Sequence, residues 1–165
     1  MAGARLSSPA GNDRGSATLE FALVAPVFLF VLMAAMEMGI LFWVNLSMQH
    51  AVREGARYAV TGQKNLDQSQ DGAQRYRAVL QAIQDASMGL YRKVAPVISV
   101  GINGGTLQSY GSASLYGGAM FGGPGDVVVL RLDCTWPILT PLMQPFFEGG
   151  KYRFSVAATM RNEAF

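Results

Sequence analysis

From Phe21 to Val44 the chain is apolar for 24 residues, broken by a single charge at Glu37. About 20 apolar residues are enough to carry a helix across a roughly 30 Å hydrocarbon core. The pattern therefore predicts a membrane-spanning helix over about 21–44. Pro26 sits inside it, where it removes one backbone hydrogen bond and bends the axis locally. Past Val44 the helical period continues. Leu41, Val44, Met48, Val52, Gly55 and Ala59 recur at spacings of three and four, while Asn45, Gln49 and Arg53 lie off that stripe. The first helix is thus expected over 16–62, its lower half in lipid and its upper half packed on a domain, with Gly62 as the stop signal.

A polar break from Gly62 to Gly72 precedes a second amphipathic helix, in which Tyr76, Val79, Leu80, Ile83, Ser87 and Leu90 share a face. The period then changes from 3.6 to 2. Three alternating runs, Val94–Ile102, Val127–Trp136 and Tyr152–Met160, read as strands. In the middle run Val128, Leu130, Leu132, Cys134 and Trp136 face one way, and Arg131, Asp133 and Thr135 the other. In the last run Tyr152, Phe154, Val156 and Met160 face inward. One wet face and one apolar face imply an antiparallel sheet. The expected fold class is α+β, with two helices and a small antiparallel sheet of three to four strands packed on them. Residues 101–125 contain nine glycines in 25 positions, interleaved with Tyr110, Tyr116 and Phe121, and are expected to form a mobile loop. Pro137, Pro141 and Pro145 with Gly149 and Gly150 mark turns between the second and third runs.

Composition narrows the chemistry. With 165 residues, half of them apolar, the chain has room for one modest core and one membrane segment. Its net charge of +2 is scattered rather than gathered in a basic block, which argues against nucleic acid as a partner. Cys134 is the single cysteine and His50 the single histidine, so neither an intrachain disulfide nor a zinc-type cluster can be assembled around them. The residues offer no Ser/His/Asp set, no paired carboxylates on one element and no nucleotide loop. The glycines at 117–125 are followed by a strand rather than by the Gly-Lys-Ser/Thr and helix of a phosphate site. No enzyme activity, cofactor, metal or small-molecule substrate is expected.

The informative chemistry lies where the polar segment 1–15 meets the apolar run, in the sequence G-S-A-T-L-E-F from Gly15 to Phe21. A carboxylate at the edge of a spanning helix is costly and calls for a partner. Cleavage after Gly15 would make Ser16 a new N-terminus, whose amine would balance Glu20 four residues on, in the helix turn where negative charge is favoured. This pattern resembles the processing site of type IV pilins. More narrowly, E-F-A-L-V-A-P, E-M-G-I-L-F, A-V-R-E-G-A-R-Y-A-V, G-D-V-V-V and A-A-T-M-R-N-E, in that order, resemble the TadE-like proteins of the tight-adherence (Flp) pilus system.

The resemblance implies a polar leader over 1–15, cut by a prepilin peptidase between Gly15 and Ser16. Glu20 would be the fifth-position carboxylate that contacts a neighbouring subunit, and Phe21 the aromatic that follows it. It also implies a single-pass protein of the bacterial inner membrane with an extracytoplasmic domain over 63–165, either retained there or incorporated in a cell-surface pilus. The implied partners are the peptidase, other pilus subunits, the inner-membrane assembly platform and the bilayer. The implied role is that of a minor pilin or pseudopilin in assembly of an adhesive pilus. The alternative is an unprocessed signal-anchored protein displaying a binding domain, which leaves Glu20 unexplained. Relatives often carry a basic residue after the Glu-x-Gly of the upper membrane helix, where this chain has Ile40. The role of Glu37 stays open between a partner within the membrane and simple reach to the headgroups. Counting Arg5 and Arg14 against Arg53, Arg57 and Lys64 does not settle topology.

Overall fold

The structure, a computed structural model, describes residues 13–67, 74–112 and 115–164. Helix α1 runs over Asp13–Val60 and passes through Pro26. Helix α2 covers Arg75–Ala86 and a helical turn, α3, Tyr91–Val94. The strands are β1 (Val97–Ile102), β2 (Gln108–Tyr110), β3 (Val127–Pro137) and β4 (Lys151–Arg161). The chain divides into two units, Met1–Met36 and Glu37–Phe165, and α1 contributes to both.

In the first unit no residue from Ser16 to Met36 is buried, and Leu19, Phe21, Leu23, Val27, Phe28 and Val31 are all strongly exposed. Apolar side chains all round a helix, with no protein against them, match a lipid environment rather than water. The helix is long and apolar enough to cross a membrane. The polar stretch Met1–Asn12 and residues 68–73 lie outside the described residues.

The second unit contains the α+β body expected from the sequence. Its four strands form one antiparallel sheet in the order β2-β1-β3-β4. The long pair β3–β4 is in register from Val127 opposite Arg161 to Pro137 opposite Lys151. Alternation in β3 places Val128, Leu130, Leu132, Cys134 and Trp136 in the core, as the period of 2 requires. The apolar stripe of α1 supplies Leu41, Val44, Met48, Val52 and Ala59, and α2 supplies Val79 and Ile83. Burying each of these Leu, Val, Met and Ile side chains contributes about 1.5–3 kcal/mol. Gly62, at φ 65°, ends α1 in the left-handed conformation that glycine adopts without strain.

Two expectations are corrected. The first strand begins at Val97 rather than Val94, because Val94 closes the α3 turn, Ala95 is left-handed at φ 40°, and Pro96 has no N–H to give to a ladder. The stretch 101–125, expected to be a mobile loop, includes regular structure among its described residues. It contains β2, reached through a turn in which Asn103 and Gly104 both have positive φ and Gly105 N donates to Ile102 O at 2.9 Å. Its far end is anchored by Met120 and by Phe121, only 1% exposed. Three polar groups fasten that end. Arg75 Nη1 donates to Gly122 O at 2.8 Å, and Asn162 Nδ2 to Phe121 O and Gly123 O, both at 2.8 Å. Gly123 N donates to Asp126 Oδ2 at 2.7 Å, while Asn103 Nδ2 donates to Asp126 Oδ1 at 2.8 Å; these bonds, Asn103 first, hold the Asp126 carboxyl below its usual pKa.

Candidate functional site

The residues expected to direct processing lie at the start of α1. Gly15 and Ser16 are already within the helix, which begins at Asp13. Helical spacing brings Ser16 over Glu20, and Ser16 Oγ donates to Glu20 Oε1 at 3.0 Å on an exposed face. Phe21, the next residue, is 73% exposed. The structure therefore brings Ser16 and Glu20 together and leaves Phe21 open on the neighbouring face. These side chains make a polar pair followed by an apolar surface, suited to contact with another chain or with lipid.

In the second unit, Glu37 is 2% exposed and fully engaged. Its Oε1 accepts from Leu139 N at 3.1 Å, and its Oε2 accepts from Thr140 N at 3.0 Å and from Thr140 Oγ1 at 2.7 Å. Charge-assisted bonds of this kind are about twice as strong as neutral ones. A carboxylate whose role the sequence left open thus clasps the connection between β3 and β4. Nothing local in the sequence signals this, because two of the three donors are backbone amides about a hundred positions away.

Arg75 is a second buried charged residue that sequence reasoning missed. Its Nε and Nη2 donate to Ala59 O at 3.0 and 2.6 Å, and Nη2 also donates to Asn162 Oδ1 at 2.9 Å. It occupies the buried carbonyl end of α1, where a cation opposes the negative end of the helix dipole. Burial lowers its pKa from the ordinary arginine value. Its position just before the apolar face of α2 gave no hint that it would turn inward.

The cavities are shallow. A polar cleft of about 460 Å³ lies beside Gln81, Gln84, Asp85, Tyr91 and Arg92, and an apolar groove of about 340 Å³ is lined by Met38, Leu41, Phe42, Leu46, Phe147 and Tyr152. Ser87 also lines the first, but its hydroxyl donates to Gln84 O at 2.6 Å rather than to Asp85, and the second holds no Ser, Cys or His. Among the described residues no group of His, Cys, Asp and Glu side chains is placed to hold a metal ion. Cys134 lies in the core, and burial, with the Asp133 charge adding to it, pushes its thiol pKa up to about 12.

Residues 15–57 match the family model of TadE-like proteins. This segment is TadE-like. The matched stretch opens at Gly15 and takes in Ser16, Glu20, Phe21, Glu37 and the apolar stripe as far as Gly55. The match covers 43 of the chain's 165 residues. No curated protein and no solved structure matches the chain. The TadE-like segment coincides with most of α1, so the sheet and α2 are described by this chain's own geometry alone.

Proposed function

We propose that this protein is a minor pilin or pseudopilin required for assembly of an adhesive tight-adherence (Flp) pilus, and that a prepilin peptidase cleaves it after Gly15. The carrying observation is the TadE-like match that opens at Gly15 and runs through a helix able to cross a membrane. After cleavage the Ser16 amine would stand one helical turn from Glu20, where the Ser16 hydroxyl already reaches the carboxylate. In a row of subunits that carboxylate would be available to a neighbour's amine, while Phe21 and the exposed apolar residues after it would pack against neighbouring helices or lipid.

In this reading the chain is anchored in the bacterial inner membrane by 21–44, and the domain beyond α1 is extracytoplasmic. Its partners are the peptidase, other pilus subunits and the assembly platform. The test is the N-terminal sequence and intact mass of the protein recovered from membranes of cells with and without the peptidase. A start at Ser16 that reverts to Met1 without the peptidase supports the reading. A start at Met1 in both strains removes the processing step and favours an uncleaved signal-anchored protein.

A further inference from the structure

The connection between β3 and β4 has an unusual composition for a loop on a water-facing domain. From Pro137 to Phe147 it reads P-I-L-T-P-L-M-Q-P-F-F, with no charged residue. Leu139, Leu142 and Phe146 are 55%, 56% and 72% exposed. The two polar side chains are both engaged within the protein: Thr140 Oγ1 donates to Glu37, and Gln144 Nε2 donates to Ile138 O at 3.2 Å.

The backbone is similarly self-contained. Pro137, Pro141 and Pro145 carry no N–H. Leu139 and Thr140 donate to Glu37, Ile138 N donates to Gly150 O, and Met143, Phe146 and Phe147 donate to carbonyls three residues back. An unsatisfied backbone polar group is costly in lipid, and the N–H groups of Ile138, Leu139, Thr140, Met143, Phe146 and Phe147 all donate to protein acceptors.

Glu37 fixes the depth. It belongs to the apolar run 21–44, and Trp43, half exposed and of the residue type that favours the headgroup level, lies six residues further along the helix. At 1.5 Å per residue, that places Glu37 about 9 Å along the axis from Trp43, on the side towards the middle of the run. Whatever is hydrogen-bonded to Glu37 shares its level.

We infer that Pro137–Phe147 is a second membrane-contacting element, which inserts Leu139, Leu142 and Phe146 into the bilayer leaflet nearer the folded domain. The inference rests on the reading of 21–44 as a membrane span. The occupant of this surface is lipid acyl chain, and the Glu37 clasp ties the loop to the anchor helix at the depth where its side chains would otherwise be wet. The domain then contacts the membrane through this loop as well as through the helix.

The test uses the full chain in phosphatidylcholine/phosphatidylglycerol vesicles, with a nitroxide label placed in turn at Leu142→Cys, Phe146→Cys, Leu32→Cys and Gln81→Cys. Cys134, 2% exposed, serves as the unlabelled background. Collision with oxygen, which partitions into lipid, is compared with collision with a water-soluble nickel chelate. The expected result is that labels at 142 and 146 lose nickel collisions and keep oxygen collisions, as at 32, whereas 81 shows the reverse. If 142 and 146 behave like 81 while 32 stays in lipid, the loop inference falls and the anchor stands. Screening of 142 and 146 from both reagents would mean a protein cover and would also overturn it. A water-exposed label at 32 would remove the membrane span and the inference together.

Discussion

Replacing Gly55 with alanine should destabilise the domain, although alanine is the better helix former. In isolation the change favours an α-helix by about 1 kcal/mol. In this fold, however, a Cβ at position 55 would lie 2.2 Å from Ile83 Cγ1 and 2.9 Å from its Cδ1, both far inside contact distance. Ile83 is fully buried, and its β-branched side chain has little rotamer freedom with which to retreat. Overpacking of this kind costs about 1–3 kcal/mol, and the severity of the clash puts it at the upper end, for a net loss of about 1–2 kcal/mol. The sign should reverse once Ile83 is truncated. With alanine at 83 the nearest remaining atom is Cβ at 3.6 Å, an ordinary contact, so Gly55→Ala in the Ile83→Ala background should stabilise by about 1 kcal/mol. Guanidinium unfolding of the full chain in mild detergent, followed by tryptophan fluorescence across the four variants, gives the cycle. A Gly55→Ala protein as stable as wild type, or a change of the same sign in both backgrounds, would refute close packing of α1 on α2 at this point.

Glu37→Leu strips the acceptor from two part-buried backbone amides and should cost about 1 kcal/mol for each, with faster hydrogen exchange at Leu139 and Thr140; Glu37→Gln, which keeps one oxygen, should lose less. Arg75→Met leaves Gly122 O and Asn162 Oδ1 without their donor and Ala59 O with Gly62 N alone, and should destabilise by about 3–5 kcal/mol, read in the same unfolding assay, with Arg75→Lys only partly restoring stability because an ammonium lacks the planar fork. Cys134 should resist alkylation at pH 8 in the folded protein and react on unfolding. Because its thiol is raised from 9.0 to about 12, the folded state keeps a proton that the unfolded chain releases above about pH 9, so stability should fall as pH rises from 9 towards 12.

The parts of the fold legible in the sequence are those where a period repeats. The α1 stripe from Leu41 to Ala59 and the alternation of β3 from Val128 to Trp136 each repeat several times, and burial follows them closely. The edge strand β2 was not visible because Gln108, Ser109 and Tyr110 bury too little to alternate. The Asn103-Gly104 pair that turns the chain into it was a hairpin signal of the kind expected where both positions take positive φ. Phe121 was hidden for another reason: its glycine-rich surroundings read as flexible, yet Arg75 and Asn162, distant in sequence, hold them in place. The candidate site divides the same way. Gly15, Ser16, Glu20 and Phe21 form a contiguous local pattern, whereas the Glu37 clasp pairs a carboxylate with amides brought to it only by the completed fold.

The central claim is that this protein is needed to build a tight-adherence pilus and acts through the Ser16–Glu20 start of its helix. The most direct measurement is the amount of major pilin sheared from cells lacking this gene and complemented with either wild-type protein or Glu20→Ala, with membrane levels of the two matched by immunoblot. The account predicts that surface pilin is lost in the deletion, restored by wild type, and strongly reduced with Glu20→Ala. Undiminished surface pilin in the deletion strain would contradict it.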